Sequence, residues 1–97
     1  MIRKSNEITL KEAIEGLLIS YKLADKLDET RIVASWENVV GKLIARHTEN
    51  LYVKSRILFV KLDSAALRNE MAMAKSKLIV SLNKNSGKEV IDDIRFM

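Results

Sequence analysis

The chain has 97 residues, of which 47% are hydrophobic and 31% are charged, a balance typical of one small globular domain rather than a disordered segment. It contains no cysteine and a single histidine, which excludes disulfides, iron–sulfur clusters, cysteine nucleophiles and multi-histidine metal sites. The formal net charge of +4 permits an anionic partner such as a nucleic acid without requiring one.

The positive charge is concentrated in the middle of the chain. Residues 42–88 contain ten Lys or Arg against three Asp or Glu, whereas the segments on either side are slightly acidic. This asymmetry indicates an anionic partner, and a merely solvated lysine-rich surface is the alternative. The three glycines are too widely spaced for a phosphate-binding loop, and no apolar run suits a membrane span or a signal peptide. We therefore expect a cytoplasmic protein that needs no cofactor.

A helix is predicted near the start of the chain, after a short N-terminal arm at 1–8. Thr9 and Glu12 have the spacing of a capping box, in which a hydroxyl and a carboxylate satisfy free backbone amides. The apolar residues that follow recur at helical intervals, so the first helix is expected over about 9–22.

A second helix is predicted to start at Asp28 and Glu29, where carboxylates suit the positive end of the helix dipole. Its apolar face is centred on Trp36, the chain's one tryptophan, which we interpret as a core anchor. Gly41 either ends this helix or permits a close contact, with a further turn over 42–47.

From residue 50 the apolar spacing changes from a helical period to alternation. Residues 51–54 and 57–62 are predicted to be two short strands. A long helix is expected over 64–84, and a last strand over about 89–96. The predicted class is α+β, in the order α-α-β-β-α-β, with a three-stranded mixed sheet in which the last strand is parallel to the second. The residues assigned to the core are Trp36, Val40, Gly41, Leu58, Val60, Leu67, Met71 and Leu78.

The sequence resembles the DciA family. The resemblance rests on the motif W-E-N-V-V-G at 36–41, the alternating run L-x-V-x-L-x-S at 58–64, and the closing segment at 88–96. It extends from about residue 10 to 96, so the prediction is one DciA-type domain over 9–97.

The resemblance implies a bacterial replication factor that binds the replicative DNA helicase, assists its loading and associates with DNA. It also implies a KH-like domain, a small sheet with helices packed on one face. The chain has no G-x-x-G loop, so KH-like here refers to shape rather than to the usual clamp on nucleotides. Since the chain ends soon after the last predicted strand, we expect the helicase contact on the folded domain.

A basic surface is the first candidate site. Its predicted members are Lys42, Arg46, Lys54, Arg56 and Lys61, with Tyr52 or Phe59 as a stacking platform. Contacts of this kind are made to phosphates and are sensitive to salt, so we expect weak binding of single-stranded or forked DNA.

A partly apolar surface on the long helix is the second candidate. Met73 and Val80 are seven residues apart and lie off the core stripe, with Lys77 and Lys84 beside them. This face is predicted to bind a protein partner, either the helicase or a second copy of the chain.

We expect no enzymatic activity. The adjacent carboxylates Asp92 and Asp93 point to opposite faces of a strand and cannot act as a pair, and His47 is expected to end a helix. Two alternatives to a helicase adaptor remain open: an RNA- or ribosome-associated KH-like binding module, and a homodimerising interaction protein.

Overall fold

The fold consists of three helices and a three-stranded mixed sheet, as a computed structural model of residues 8–97 describes it. The predicted α+β class is confirmed, although the order of the elements is α-β-β-α-α-β. In chain order they are α1 (Leu10–Arg46), β1 (Thr48–Lys54), β2 (Ile57–Leu62), α2 (Ala65–Met73), α3 (Lys75–Ser86) and β3 (Asp93–Phe96). Apart from Ile8, the predicted N-terminal arm lies outside the described residues.

The sheet has the strand order β1-β2-β3. β1 and β2 form an antiparallel hairpin, and β3 is parallel to β2, as predicted. Ser55 and Arg56 form the hairpin turn with φ values of 52° and 65°. Two consecutive positive φ angles are the geometry whose twist matches that of the flanking strands, even though neither residue is the glycine that such turns favour.

The first two predicted helices are one element, which corrects the predicted boundary between 22 and 28. The segment joining them contains no glycine or proline, and α1 runs through it. The predicted capping box is present, since Thr9 and Glu12 exchange two hydrogen bonds of 3.0 Å each. The actual interruption lies at Gly41, whose φ of 88° and ψ of 169° are not helical.

The long helix predicted over 64–84 is also corrected, because the chain turns at Ala74 and forms two helices, α2 and α3. The amide of Ala74 donates to the carbonyls of Glu70 and Met71, which closes the last turn of α2. No glycine or proline marks this turn in the sequence.

The last strand begins at Asp93 rather than near residue 89. Val90 and Ile91 are buried, but their amides donate to the side-chain oxygen of Asn83, at 2.9 and 3.1 Å, instead of to a strand. The side-chain Nδ2 of Asn83 also donates to the carbonyl of Ile91 at 2.9 Å. One side chain on α3 therefore fixes the segment that leads into β3.

The core lies between the helices and one face of the sheet. Of the residues assigned to it, Trp36, Leu58, Val60 and Leu78 are buried, and Val40, Leu67 and Met71 are partly buried against them. Gly41 is exposed, which corrects its assignment to the core. The remaining buried hydrophobic residues are Ile32, Ile44, Leu62, Leu82, Val90, Ile91 and Ile94.

Candidate nucleic-acid interface

One face of the sheet carries the core and the other is open. Leu58, Val60 and Leu62 of β2 point into the core and are at most 2% exposed. Because side chains alternate along a strand, the residues between them, Phe59 and Lys61, lie on the opposite face. No element within residues 8–97 buries that face, where the side chains are half-buried or exposed.

A pair of aromatic rings lies at the centre of this open face. Tyr52 on β1 is directly opposite Phe59 on β2, and their ring centroids are 5.0 Å apart with an angle of 13° between the ring planes. Tyr52 is 40% exposed and Phe59 is half-buried. The exposed ring of Tyr52 is a surface of the kind on which nucleic-acid bases stack in sheet-based binding domains.

Arg95 extends the row of side chains onto β3. It is paired in register with Phe59, and its guanidinium carbon lies 6.0 Å from the centre of the Phe59 ring. The sequence analysis did not select Arg95. The sequence did predict that the last strand is parallel to β2. If the buried residues Ile94 and Leu58 had been aligned in that pairing, Arg95 would have been identified as the neighbour of Phe59.

Two further cations flank the aromatic pair on the same face. Lys54 ends β1 two residues after Tyr52, and it forms no ion pair with any residue between 8 and 97. Lys61 lies two residues after Phe59 and is 3.7 Å from the carboxylate of Glu49. Both lysines are exposed, so their charges are accessible to a phosphate backbone.

Arg56 differs from these cations because a bidentate hydrogen bond already holds its guanidinium. Its Nε and Nη2 atoms donate to the two carboxylate oxygens of Asp92, each at 2.9 Å. This bidentate hydrogen bond raises the pKa of Arg56 and lowers that of Asp92. The pair connects the hairpin turn to the segment before β3, where the amide of Asp92 also donates to the carbonyl of Arg56 at 2.8 Å.

Lys42 and Arg46 lie at the other end of the hairpin. They are exposed on the helical turn between Gly41 and β1, whereas Lys54 and Arg56 lie at the tip. The length of β1 separates the two groups by about 20 Å. The five predicted cations therefore do not form one cluster: Lys54 and Lys61 lie on the open face beside the aromatic pair, and Lys42 and Arg46 lie at the far end of β1.

The residues predicted to bind a protein partner are exposed but do not form one helical face. Met73 ends α2 and is 83% exposed, whereas Val80 belongs to α3 and is 66% exposed. The turn at Ala74 separates them. Val80 and Lys84 line an open groove between α3 and the segment 87–92, and Lys77 is exposed on α3.

Other groups with potential chemistry are placed in structural roles. His47 ends α1, and its Nδ1 atom lies 2.7 Å from a carboxylate oxygen of Asp63. No cluster of three histidine or acidic side chains within residues 8–97 has the geometry to hold a metal ion. Over the same residues, every helix is too short or too polar to cross a bilayer.

The fold and this face define a small α+β module whose sheet presents stacked aromatic rings between cations. The profile of the family described as "Dna[CI] antecedent, DciA" matches residues 9–96, and the chain belongs to this family. The chain is also similar to a UPF0232 protein of Corynebacterium glutamicum (strain R), with 28% identity over 64 residues. The matched segment covers 66% of this chain and 36% of that relative.

Proposed function

We propose that the protein is a non-enzymatic adaptor in bacterial DNA replication that holds the replicative helicase near DNA and so assists its loading. The family assignment supports the helicase role. The observation that carries the DNA contact is the Tyr52–Phe59 stack between Lys54, Lys61 and Arg95 on the open face of the sheet. Such an adaptor acts in the cytoplasm and has a domain of KH-like shape.

The proposed DNA contact combines base stacking with phosphate neutralisation. Stacking of one base on Tyr52 contributes about 1–3 kcal/mol, and the flanking cations add a salt-dependent attraction with little sequence preference. Arg56 contributes less to this contact than Lys54, since its guanidinium already binds Asp92. Lys42 and Arg46 extend the same attraction toward the start of β1.

DNA binding is tested by the fluorescence anisotropy of a labelled single-stranded oligonucleotide at low salt. We expect Tyr52→Ala to weaken binding about tenfold or more. Lys54→Glu should weaken binding and reduce its dependence on salt, whereas Lys77→Glu on α3 is the matched control and should leave it unchanged. Equal affinity for wild type and both hairpin variants would exclude the open face. Competition with RNA of the same sequence distinguishes the RNA-binding alternative.

The helicase contact is proposed on the groove beside α3, with Val80, Lys84 and Lys77, together with the exposed Met73 at the end of α2. We expect the chain and the replicative helicase of the same organism to co-elute in size-exclusion chromatography. Val80→Asp should abolish co-elution, since it places a charge in the apolar part of the groove. Tyr52→Ala is the control and should leave the complex intact. A complex that survives Val80→Asp would place the helicase contact elsewhere.

A further inference from the structure

The first half of α1 presents an apolar stripe to solvent. Between residues 10 and 27 the large hydrophobic side chains are at least 48% exposed, and burial begins only at Asp28 and Ile32. The helix extends away from the core, since the molecule measures 68 Å along its longest axis and about 20 Å across. Contiguous exposed apolar surface is rare in soluble monomers and marks interaction sites. The stripe consists of Leu10, Ile14, Leu17, Leu18, Tyr21 and Ala24, and a shorter exposed row of Ile19, Leu23 and Leu27 lies on the other side of the helix.

The spacing of the stripe is that of a seam between two helices. Leu10, Ile14, Leu17, Tyr21 and Ala24 follow one another at intervals of four, three, four and three residues. This heptad spacing keeps the apolar residues in line with a second helix. The seam is about 21 Å long. An isolated helix of this length is marginally stable in water, so a partner helix would also stabilise the segment itself.

The charges beside the seam indicate what the partner is. Residues 10–27 contain three lysines and three carboxylates, so this segment has no net attraction for nucleic acid or an anionic membrane. Lys11 and Asp25 lie on the same edge of the seam, two heptads apart. In an antiparallel pair of identical helices the same edge faces itself, so Lys11 of each copy faces Asp25 of the other.

We propose that a second copy of this chain covers the stripe as an antiparallel helix pair, independently of the helicase and DNA contacts proposed above. In this arrangement Leu17 packs against Tyr21 of the other copy, and Leu18 lies beside the two-fold axis. The two globular parts then lie at opposite ends of the helix pair. A parallel pair would form no ion pair from Lys11 and Asp25, because the edges that carry them would face away from each other.

The size of the interface sets the expected affinity. Six side chains from each copy bury on the order of 1,000 Å² in total, near the lower limit for a specific interface. We therefore expect a dimer that dissociates in the micromolar range, and sedimentation equilibrium of the whole chain at increasing concentration measures it.

A matched pair of lysine variants tests the stripe. Leu17→Lys introduces a charge in the seam and should weaken dimerisation about a hundredfold. Ile19→Lys makes the same kind of change on the opposite side of the helix, where Ile19 is 60% exposed, and should leave the dimer unchanged. Wild type that stays monomeric at millimolar concentration, or equal effects of the two variants, would overturn the proposal. Loss of the buried-tryptophan fluorescence of Trp36 in Leu17→Lys would also overturn it, since it would show that the stripe packs against the core of the same chain.

Charge reversal tests the orientation. Lys11→Asp and Asp25→Lys should each weaken the dimer, and the double variant should restore it, because the pairs then re-form with opposite sign. Within one chain the two residues are about 21 Å apart along the helix, too far for an intramolecular ion pair to explain the rescue. A double variant as weak as the single variants would refute the antiparallel register.

Discussion

Gly41 offers a direct test of how the sequence directs the chain from α1 into the sheet. Its φ of 88° and ψ of 169° interrupt α1, and after the next turn the chain buries Ile44 and enters β1. This region of backbone space is essentially restricted to glycine. A Cβ atom built at this position has nothing within 4 Å. Replacement by alanine therefore creates no clash, and its whole cost comes from the backbone.

The magnitude follows from the backbone geometry. Holding an L-residue in this region costs about 1–3 kcal/mol. For a domain of this size, about 2 kcal/mol lowers Tm by about 10 °C. We therefore expect Gly41→Ala to melt about 10 °C below wild type, as measured by differential scanning calorimetry.

The other two glycines are matched controls, since a Cβ at either also meets nothing within 4 Å. Gly87 ends α3 with a φ of 93° and a ψ of −4°, in the left-handed region, so Gly87→Ala should cost about 1–2 kcal/mol. Gly16 lies inside α1, so Gly16→Ala should raise the helical signal at 222 nm because alanine favours the helix by about 1 kcal/mol.

A fourth variant distinguishes backbone strain from any other effect of the added methyl group. D-alanine adopts positive φ readily, since its preferences mirror those of L-alanine. A synthetic chain with D-alanine at position 41 should therefore regain the wild-type Tm. If Gly41→Ala has the same Tm as wild type, α1 does not need the interruption at residue 41 and the reasoning is refuted.

Two further predictions concern a partly buried hydrogen bond and two carboxylates. The indole N–H of Trp36 donates to the hydroxyl of Thr48 at 3.0 Å. Thr48→Val removes this acceptor and should lower the free energy of unfolding by about 1–3 kcal/mol, whereas Thr48→Ser keeps the hydroxyl and should retain most of the wild-type stability. Urea titration followed by Trp36 fluorescence measures both variants. The pKa of Asp92 is lowered by its hydrogen bond to Arg56, and that of Asp93 by the amide of Ile94. A carboxyl pKa that is lower in the folded state stabilises the fold at pH values above the pKa of the unfolded state. The urea concentration at the unfolding midpoint should therefore stay constant from pH 7 to about 5 and decrease at pH values below about 4, less steeply in Asp92→Asn. A midpoint independent of pH would contradict this.

The features that the sequence predicted well are those controlled by local alternation and by burial. The strand β2 could be predicted because Leu58, Val60 and Leu62 alternate with residues of the other face, and a buried face specifies its register strongly. The capping box at Thr9 was equally predictable, since it depends on two residues three positions apart.

The helix boundaries were less predictable, because tertiary contacts decide them. Asp28 was interpreted as the start of a second helix, but its carboxylate lies inside α1 and binds Lys88 at 2.7 Å, a contact between residues sixty positions apart in sequence. The turn at Ala74 has no glycine or proline to indicate it. Helical periodicity continues across both positions and does not distinguish one helix from two.

The candidate interface was predicted in part for a related reason. Lys54 and Lys61 were selected because they lie in or beside the hairpin, where local alternation assigns the face. Arg95 was not selected, because its place beside Phe59 depends on the parallel register of β3, which is set far along the chain. The pairing of Arg56 with Asp92 also joins distant segments, and no local pattern indicates it.

The position of Arg95 depends on the side chain of Asn83, which connects the stability of the fold to the proposed DNA contact. β3 has four residues and pairs with one neighbouring strand, so the ladder alone fixes it weakly. The Asn83 side chain accepts hydrogen bonds from the amides of Val90 and Ile91 and donates one to the carbonyl of Ile91, which holds this segment against α3. The ion pair of Arg56 and Asp92 fixes the next residue to the hairpin. Arg95, the third cation of the open face, therefore depends for its position on the contacts that Asn83 makes on the core side of the sheet.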